Sequence, residues 1–298
     1  MSSGYVSAAA RPLILRIVNF PLVALVVAVL LYLFANAFGI YLGRLVPPLG
    51  DLASLVVQTV IGLGLVLATY KLAIARLGEQ PRDDLCGRGA LRTIGQGLLG
   101  GALLYAAIVA VAAALGIYRI TGNGDVSRLV QQTISAALVP AIIEEILFRG
   151  ILFRWIEEFA GTWAGLIISS ALFGLAHILN PGATWFSSLC ISVEAGLLLG
   201  GAYMLTRSLW MPIGLHFAWN FVQGAVFGLP VSGHPASGLV RAELKGPALL
   251  SGGAFGLEAS VIALVIASIA GIWLIRRAVR RGLVVMPRWV RRRTIAGS

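Results

Sequence analysis

Glu144 and Glu145 stand side by side in a stretch that is otherwise apolar up to Arg149: Leu138-Val139-Pro140-Ala141-Ile142-Ile143-Glu144-Glu145-Ile146-Leu147-Phe148-Arg149-Gly150. At bilayer depth each charged side chain costs about 2.5–3.5 kcal/mol on insertion scales. Two adjacent acids also repel each other. Packing has no use for such a pair, so it marks chemistry inside a membrane. On a helix Glu145 and Arg149 are four residues apart, share a face and can pair. Glu144 is turned from Glu145 by about 100° and is not neutralised along the helix by the same arginine. Pro140, four residues before Glu144, removes a backbone donor and favours a kink that makes room for water.

Three more polar groups recur at helical spacing in apolar surroundings. His177 follows Phe173 by four residues, and Asn220 follows His216 by four. A carboxylate beside a histidine can hold a water and take its proton for attack on a carbonyl. A histidine and an asparagine one turn apart can donate to a developing oxyanion. Together these groups describe amide hydrolysis by an activated water. The bland alternative is a polar network that only glues helices together, as Asn and His do in membranes. Two adjacent intramembrane acids make the catalytic reading the stronger one.

These residues need helices to carry them. The chain has 298 residues, 58% apolar and 12% charged, with mean hydropathy +0.91. Soluble domains carry roughly 25% charged residues. An all-α polytopic membrane protein is therefore expected, a single integral domain of about eight transmembrane helices around an intramembrane polar cavity. Apolar runs of bilayer length place the spans near 20–42, 52–75, 94–117, 133–153, 161–178, 186–206, 209–229 and 254–275. Residues 130–230 hold the catalytic core helices, and 276–298 form a basic tail. The sixth and seventh spans nearly join, with a kink expected at Pro212. Gly97 and Gly101 have the spacing of a helix-packing surface. Arg11, Arg16, the apolar run from Pro21 and Ala35-Asn36-Ala37 resemble a signal peptide, but the apolar run continues, so an uncleaved anchor is expected.

The net charge of +11 does not point to nucleic acid. Eight arginines (276, 277, 280, 281, 288, 291, 292 and 293) crowd the end of the chain, the footprint of a cytoplasmic segment on anionic lipid. With both termini in the cytoplasm of a multi-pass cell-membrane protein, the outer loops hold Arg44, Arg119, Arg128, Arg241 and Lys245, only five of the 23 Lys and Arg. Cys86 and Cys190 suggest neither a disulfide framework nor a metal site. Neither a cofactor nor a metal is expected.

The ordered trio Glu144-Glu145-x-x-x-Arg149, Phe173-x-x-x-His177 and His216-x-x-x-Asn220 resembles the signature of CPBP proteins. These are the CAAX-protease and bacteriocin-processing enzymes, which include the type II prenyl-protein endopeptidase of eukaryotes. The likeness covers residues 130–230. It implies an intramembrane glutamate endopeptidase of eight helices with a cavity open to lipid and cytoplasm, acting on a membrane-embedded or lipid-anchored peptide or protein. By the same resemblance Glu144 and His177 activate the water, His216 and Asn220 form the oxyanion hole, and Glu145 with Arg149 supports the site. Some family members have immunity or scaffold roles instead.

Three other readings compete. One is a zinc peptidase with Glu144, His177 and His216 as ligands. Another is a non-catalytic protein of the same fold, and the third a transporter or proton relay, which the lack of internal symmetry disfavours. Glu194, mid-span, either lines the cavity or meets a buried arginine. Glu258 and Arg207, near span ends, are expected to snorkel. His234 is expected to be a solvated loop residue. Trp163, Trp185 and Trp210 fall where interfacial anchors belong.

Overall fold

A computed structural model gives the fold and describes residues 12–87 and 89–291. Arg11 and the part of the basic tail with Arg292 and Arg293 lie outside the described residues. A short helix, α1 (Leu13–Val18), leads into α2 (Pro21–Arg44), which begins on a proline whose missing N–H costs nothing at that position. Then come α3 (Asp51–Leu72), α4 (Ala90–Ala114) and strand β1 (Tyr118–Asn123). A continuous helical stretch, 129–160, follows. It alternates α5 (Leu129–Gln132), a π-helical turn (Thr133–Leu138), α6 (Val139–Glu145), a second π turn (Ile146–Phe153) and α7 (Arg154–Ala160). The chain continues with α8 (Thr162–Ala176), α9 (Trp185–Thr206) and α10 (Trp210–Phe221), which a third π turn (Val222–Val226) prolongs. It closes with β2 (Val240–Leu244), α11 (Ala248–Ser251) and α12 (Val261–Arg280).

The protein is an all-α polytopic membrane protein. Among the described residues, six helical segments are long and apolar enough to cross a membrane: α2, α3 extended to Arg76, α4, α8 extended to Leu179, α9 and α12. The spans expected at 133–153 and 209–229 are helical as well. Both are interrupted by π turns, so neither is a long uninterrupted apolar helix. The antiparallel ribbon of β1 and β2 was not expected.

Each end of the bundle is knitted together. At one end the ribbon joins the loops after α4 and before α12. There Asn180 Nδ2 donates to Ser232 O, and Gln132 Oε1 accepts from Ser237 N. At the other end Arg154 donates to Arg82 O, Leu209 N to Asp84 O, and Val285 N to Thr162 Oγ1.

Several expectations need correction. Pro212 makes no kink: it lies in the first turn of α10. The break falls instead at Arg207, which ends α9 in the left-handed region (φ 52°). Arg207 does not snorkel, because it pairs with Glu157 and donates to Leu283 O. Arg276, Arg277 and Arg280 belong to α12 rather than to a tail. Arg288 is paired with Glu79 and stacks over Phe20, and Arg291 donates to Glu158 O.

Gly97 and Gly101 do pack helices. A Cβ on Gly97 would strike Met211 O, and one on Gly101 would strike Leu215 O. Only glycines let the α4 and α10 backbones touch there, and this contact sets the height of His216 and Asn220.

Candidate active site

The π turns flank the chemistry. One precedes and one follows α6, which carries Glu144 and Glu145, and the third begins two residues after Asn220. Such turns concentrate at functional sites, where they re-aim side chains. The two acids face different surroundings, as their helical offset requires. Glu145 is fully buried, and its Oε1 accepts from Arg149 at 2.8 Å and meets His216 Nδ1 at 2.9 Å. Glu144 is half-buried on the wall of an open cavity. Its Oε2 has no hydrogen-bond partner among the described residues.

The cavity has a volume of about 420 Å³, far more than the ~10–15 Å³ that a single water needs. Glu144, His177, His216 and Asn220 all line it, with Pro140 beside them. Glu144, His177, His216 and Asn220 thus meet, although they come from three separate helical segments. Glu145 and Arg149 stand behind the wall. Arg149 is buried and ties the site to two neighbours, donating to Ala195 O at 3.0 Å and lying 4.6 Å over the Phe173 ring.

Local geometry fixes the histidine tautomers. His177 follows the last residue of α8, and its Nδ1 lies 2.7 Å from Phe173 O. A carbonyl only accepts, so Nδ1 carries the proton and Nε2 of the neutral ring is an acceptor. His216 Nδ1 donates in the same way to Glu145 Oε1, the oxygen that also accepts from Arg149. His216 Nε2 therefore donates only when the ring is an imidazolium.

Asn220 Nδ2 donates to Ala136 O at 2.9 Å. That carbonyl precedes Pro140 by four residues, and proline has no N–H to close the α-helical bond to it. Asn220 fills the gap, which fixes its carboxamide orientation and leaves a second N–H for a ligand.

Sequence reasoning missed the roof. Val231, Ser232, His234, Pro235 and Ala236 close over the cavity, so His234 is at its mouth rather than a loop residue apart from the site. Glu258 is buried rather than snorkelling, and accepts from Ser232 N. Burial pushes its carboxyl above the ordinary range, while the Ser232 bond opposes that shift. An acid between Leu257 and Ala259 was the available signal. Glu194 pairs with no arginine among the described residues. With Glu258 it lines a much smaller cavity behind the site, of about 40 Å³, which His177, His216 and Asn220 also border. Cys86 is exposed and Cys190 buried, both as free thiols. Among the described residues, no three His, Cys, Asp or Glu side chains are grouped so as to hold a metal ion.

Fold and site together define a membrane-spanning helical protein with an open cavity walled by a carboxylate, two imidazoles and a carboxamide. Residues 126–222 match the family model described as Type II CAAX prenyl endopeptidase Rce1-like. That segment contains all six motif residues, and in it the chain is similar to the CAAX-type proteases. No curated protein and no solved structure matches the chain.

Proposed function

We propose that the protein is an intramembrane endopeptidase that hydrolyses a peptide bond of a membrane-embedded or lipid-anchored substrate. The observation that carries this reading is the convergence of Glu144, His177, His216 and Asn220 on one open cavity. Glu144 and His177 Nε2 hold a water. Its oxygen attacks the scissile carbonyl carbon while its proton passes to Glu144. The resulting oxyanion takes hydrogen bonds from His216 Nε2 and the spare N–H of Asn220. Collapse breaks the C–N bond, and the proton moves to the leaving amine. Glu145 and Arg149 orient His216 without touching substrate. No step needs a cofactor or metal, and cleavage should resist a strong chelator. A zinc site would have to recruit Glu144, His177 and His216, which are not grouped as ligands.

The same proposal places the protein in the cell membrane with both termini cytoplasmic. There Arg276, Arg277, Arg280 and Arg281 face anionic lipid, and no nucleic acid is involved. The test compares membrane peptidomes of cells carrying the native protein and Glu144→Gln. A precursor should accumulate in the variant. Identical peptidomes would favour a non-catalytic protein of this fold.

A further inference from the structure

We infer that the cavity is entered from the non-cytoplasmic side, and that its substrate is a membrane-anchored precursor whose scissile bond lies at the outer end of its apolar segment. The substrate part rests on the proteolysis proposed above, whereas the sidedness rests on geometry and charge alone.

The mouth of the cavity is built wholly from one end of the bundle. Gln132 and Ser135 come from the start of the 129–160 stretch, Asn180 from the turn after α8, and Ser232, His234 and Ala236 from the loop after α10. That is the end closed by the β1–β2 ribbon. Below the helical end at Val226, Asn220 lies about 9 Å deep and His216 about 15 Å deep, at ~1.5 Å per residue. His177 directly follows α8. In a hydrocarbon core about 30 Å thick, His177 and Asn220 therefore lie in the ribbon-side half, and His216 and Glu144, midway along 129–160, lie near its middle.

The other half is sealed. Beneath His216 stand the buried Glu145 and Arg149, and Arg149 bonds onward to Ala195 O. The cleft at the opposite end is lined by Gln80, Arg82, Arg154, Glu157, Val285 and Arg291 among others, and shares no residue with the catalytic cavity.

Charge says which end is which. The ribbon end carries Arg44, Arg119, Arg128, Arg241 and Lys245, of which Lys245 is paired with Glu243. The opposite end carries Lys71, Arg76, Arg82, Arg154, Arg207 and the arginine-rich stretch 276–291. Loops flanking spans keep their excess of Lys and Arg in the cytoplasm. The ribbon end, and with it the mouth, is outside. The family resemblance implies a cytoplasmic opening, and this chain's geometry points the other way. A bond presented at the cytoplasmic surface would have to pass the buried Glu145–Arg149 pair to reach Glu144.

Thiol labelling tests the sidedness. Exposed Cys86 lies at the basic end, where Trp210 Nε1 donates to its carbonyl, and Cys190 is buried. A membrane-impermeant maleimide on intact cells should leave the native chain unlabelled until the cells are permeabilised. In a Cys86→Ser background, Leu49→Cys in the loop before α3, Pro235→Cys at the mouth and Ser135→Cys in the cavity should all label without permeabilisation. Labelling of Pro235→Cys and Ser135→Cys only after permeabilisation overturns the inference. So does labelling of Leu49→Cys from outside with Ser135→Cys silent, since the cavity would then be closed. Leu49→Cys also shows that a variant chain has inserted. For the substrate part, the precursor that accumulates with Glu144→Gln should carry its cleavage site on the non-cytoplasmic side. A cytoplasmic cleavage site refutes the inference. If no precursor accumulates, the proteolytic reading and the substrate claim fall, while the labelling result still stands for the cavity.

Discussion

Asn220 offers a test that separates architecture from chemistry. Asn220→Ala removes a hydrogen bond to Ala136 O, made at 2.9 Å, and leaves that carbonyl without its donor because Pro140 supplies no amide. An unsatisfied buried acceptor costs about 1–3 kcal/mol, and this part-buried one beside the cavity should fall at the low end of that range. The same replacement removes an oxyanion donor, which costs roughly 10²–10³ in kcat, or about 2.7–4 kcal/mol of transition-state stabilisation. Pro140→Ala restores an amide four residues after Ala136 and so closes the helical bond. The double variant should therefore regain most of the stability lost in Asn220→Ala but none of the activity. Thermal unfolding in detergent reads the first quantity, and single-turnover cleavage of the precursor found by peptidomics reads the second. If Pro140→Ala restores cleavage in the Asn220→Ala background, Asn220 is a helix clamp and not an oxyanion donor.

Other expectations follow from the same geometry. Glu145→Gln leaves the buried Arg149 charge uncompensated and should destabilise the fold by about 3–5 kcal/mol; adding Arg149→Met should recover part of that, as thermal unfolding would show. Gly101→Val drives a side chain against Leu215 O, and should cost about 1–3 kcal/mol together with cleavage by displacing His216; the same change at lipid-facing Leu103 should cost neither. His177 must be neutral for Nε2 to hold the water and His216 charged for Nε2 to hydrogen-bond the oxyanion, so kcat/KM should fall at both pH extremes. In His216→Gln, which donates without titrating, the alkaline limb should vanish from the profile; an unchanged limb would remove His216 from the oxyanion role.

Much of this site can be read from residue spacing. The pairing of Glu145 with Arg149 and the separate outlook of Glu144 follow from helical geometry over six residues. The gathering of His177, His216 and Asn220 follows from their types and from family resemblance. What spacing cannot give is partnership across the fold. Glu145 meets His216, 71 residues away, and Asn220 mends the break made by Pro140, 80 positions earlier. His177 and His216 can reach one cavity because α8 ends at Ala176 while α10 is prolonged to Val226 by its π turn. Six of the eight expected spans are bilayer-length apolar helices among the described residues, but the π turns that interrupt the other two were not legible, since their register depends on packing. The ribbon and the roof loop with His234 were missed because strands of five or six residues among long apolar runs leave little periodic signal. Glu258 shows how a position near a span end misleads: it is buried beneath the roof and holds Ser232.

The central claim is that Glu144 is the base at an open intramembrane cavity. Purified protein in liposomes, given the identified precursor, measures it most directly. The account predicts that Glu144→Gln unfolds at the native temperature yet cleaves at least about 10²-fold more slowly, in line with the loss of a general base, and that a chelator leaves the native rate unchanged. Native-rate cleavage by Glu144→Gln would contradict it.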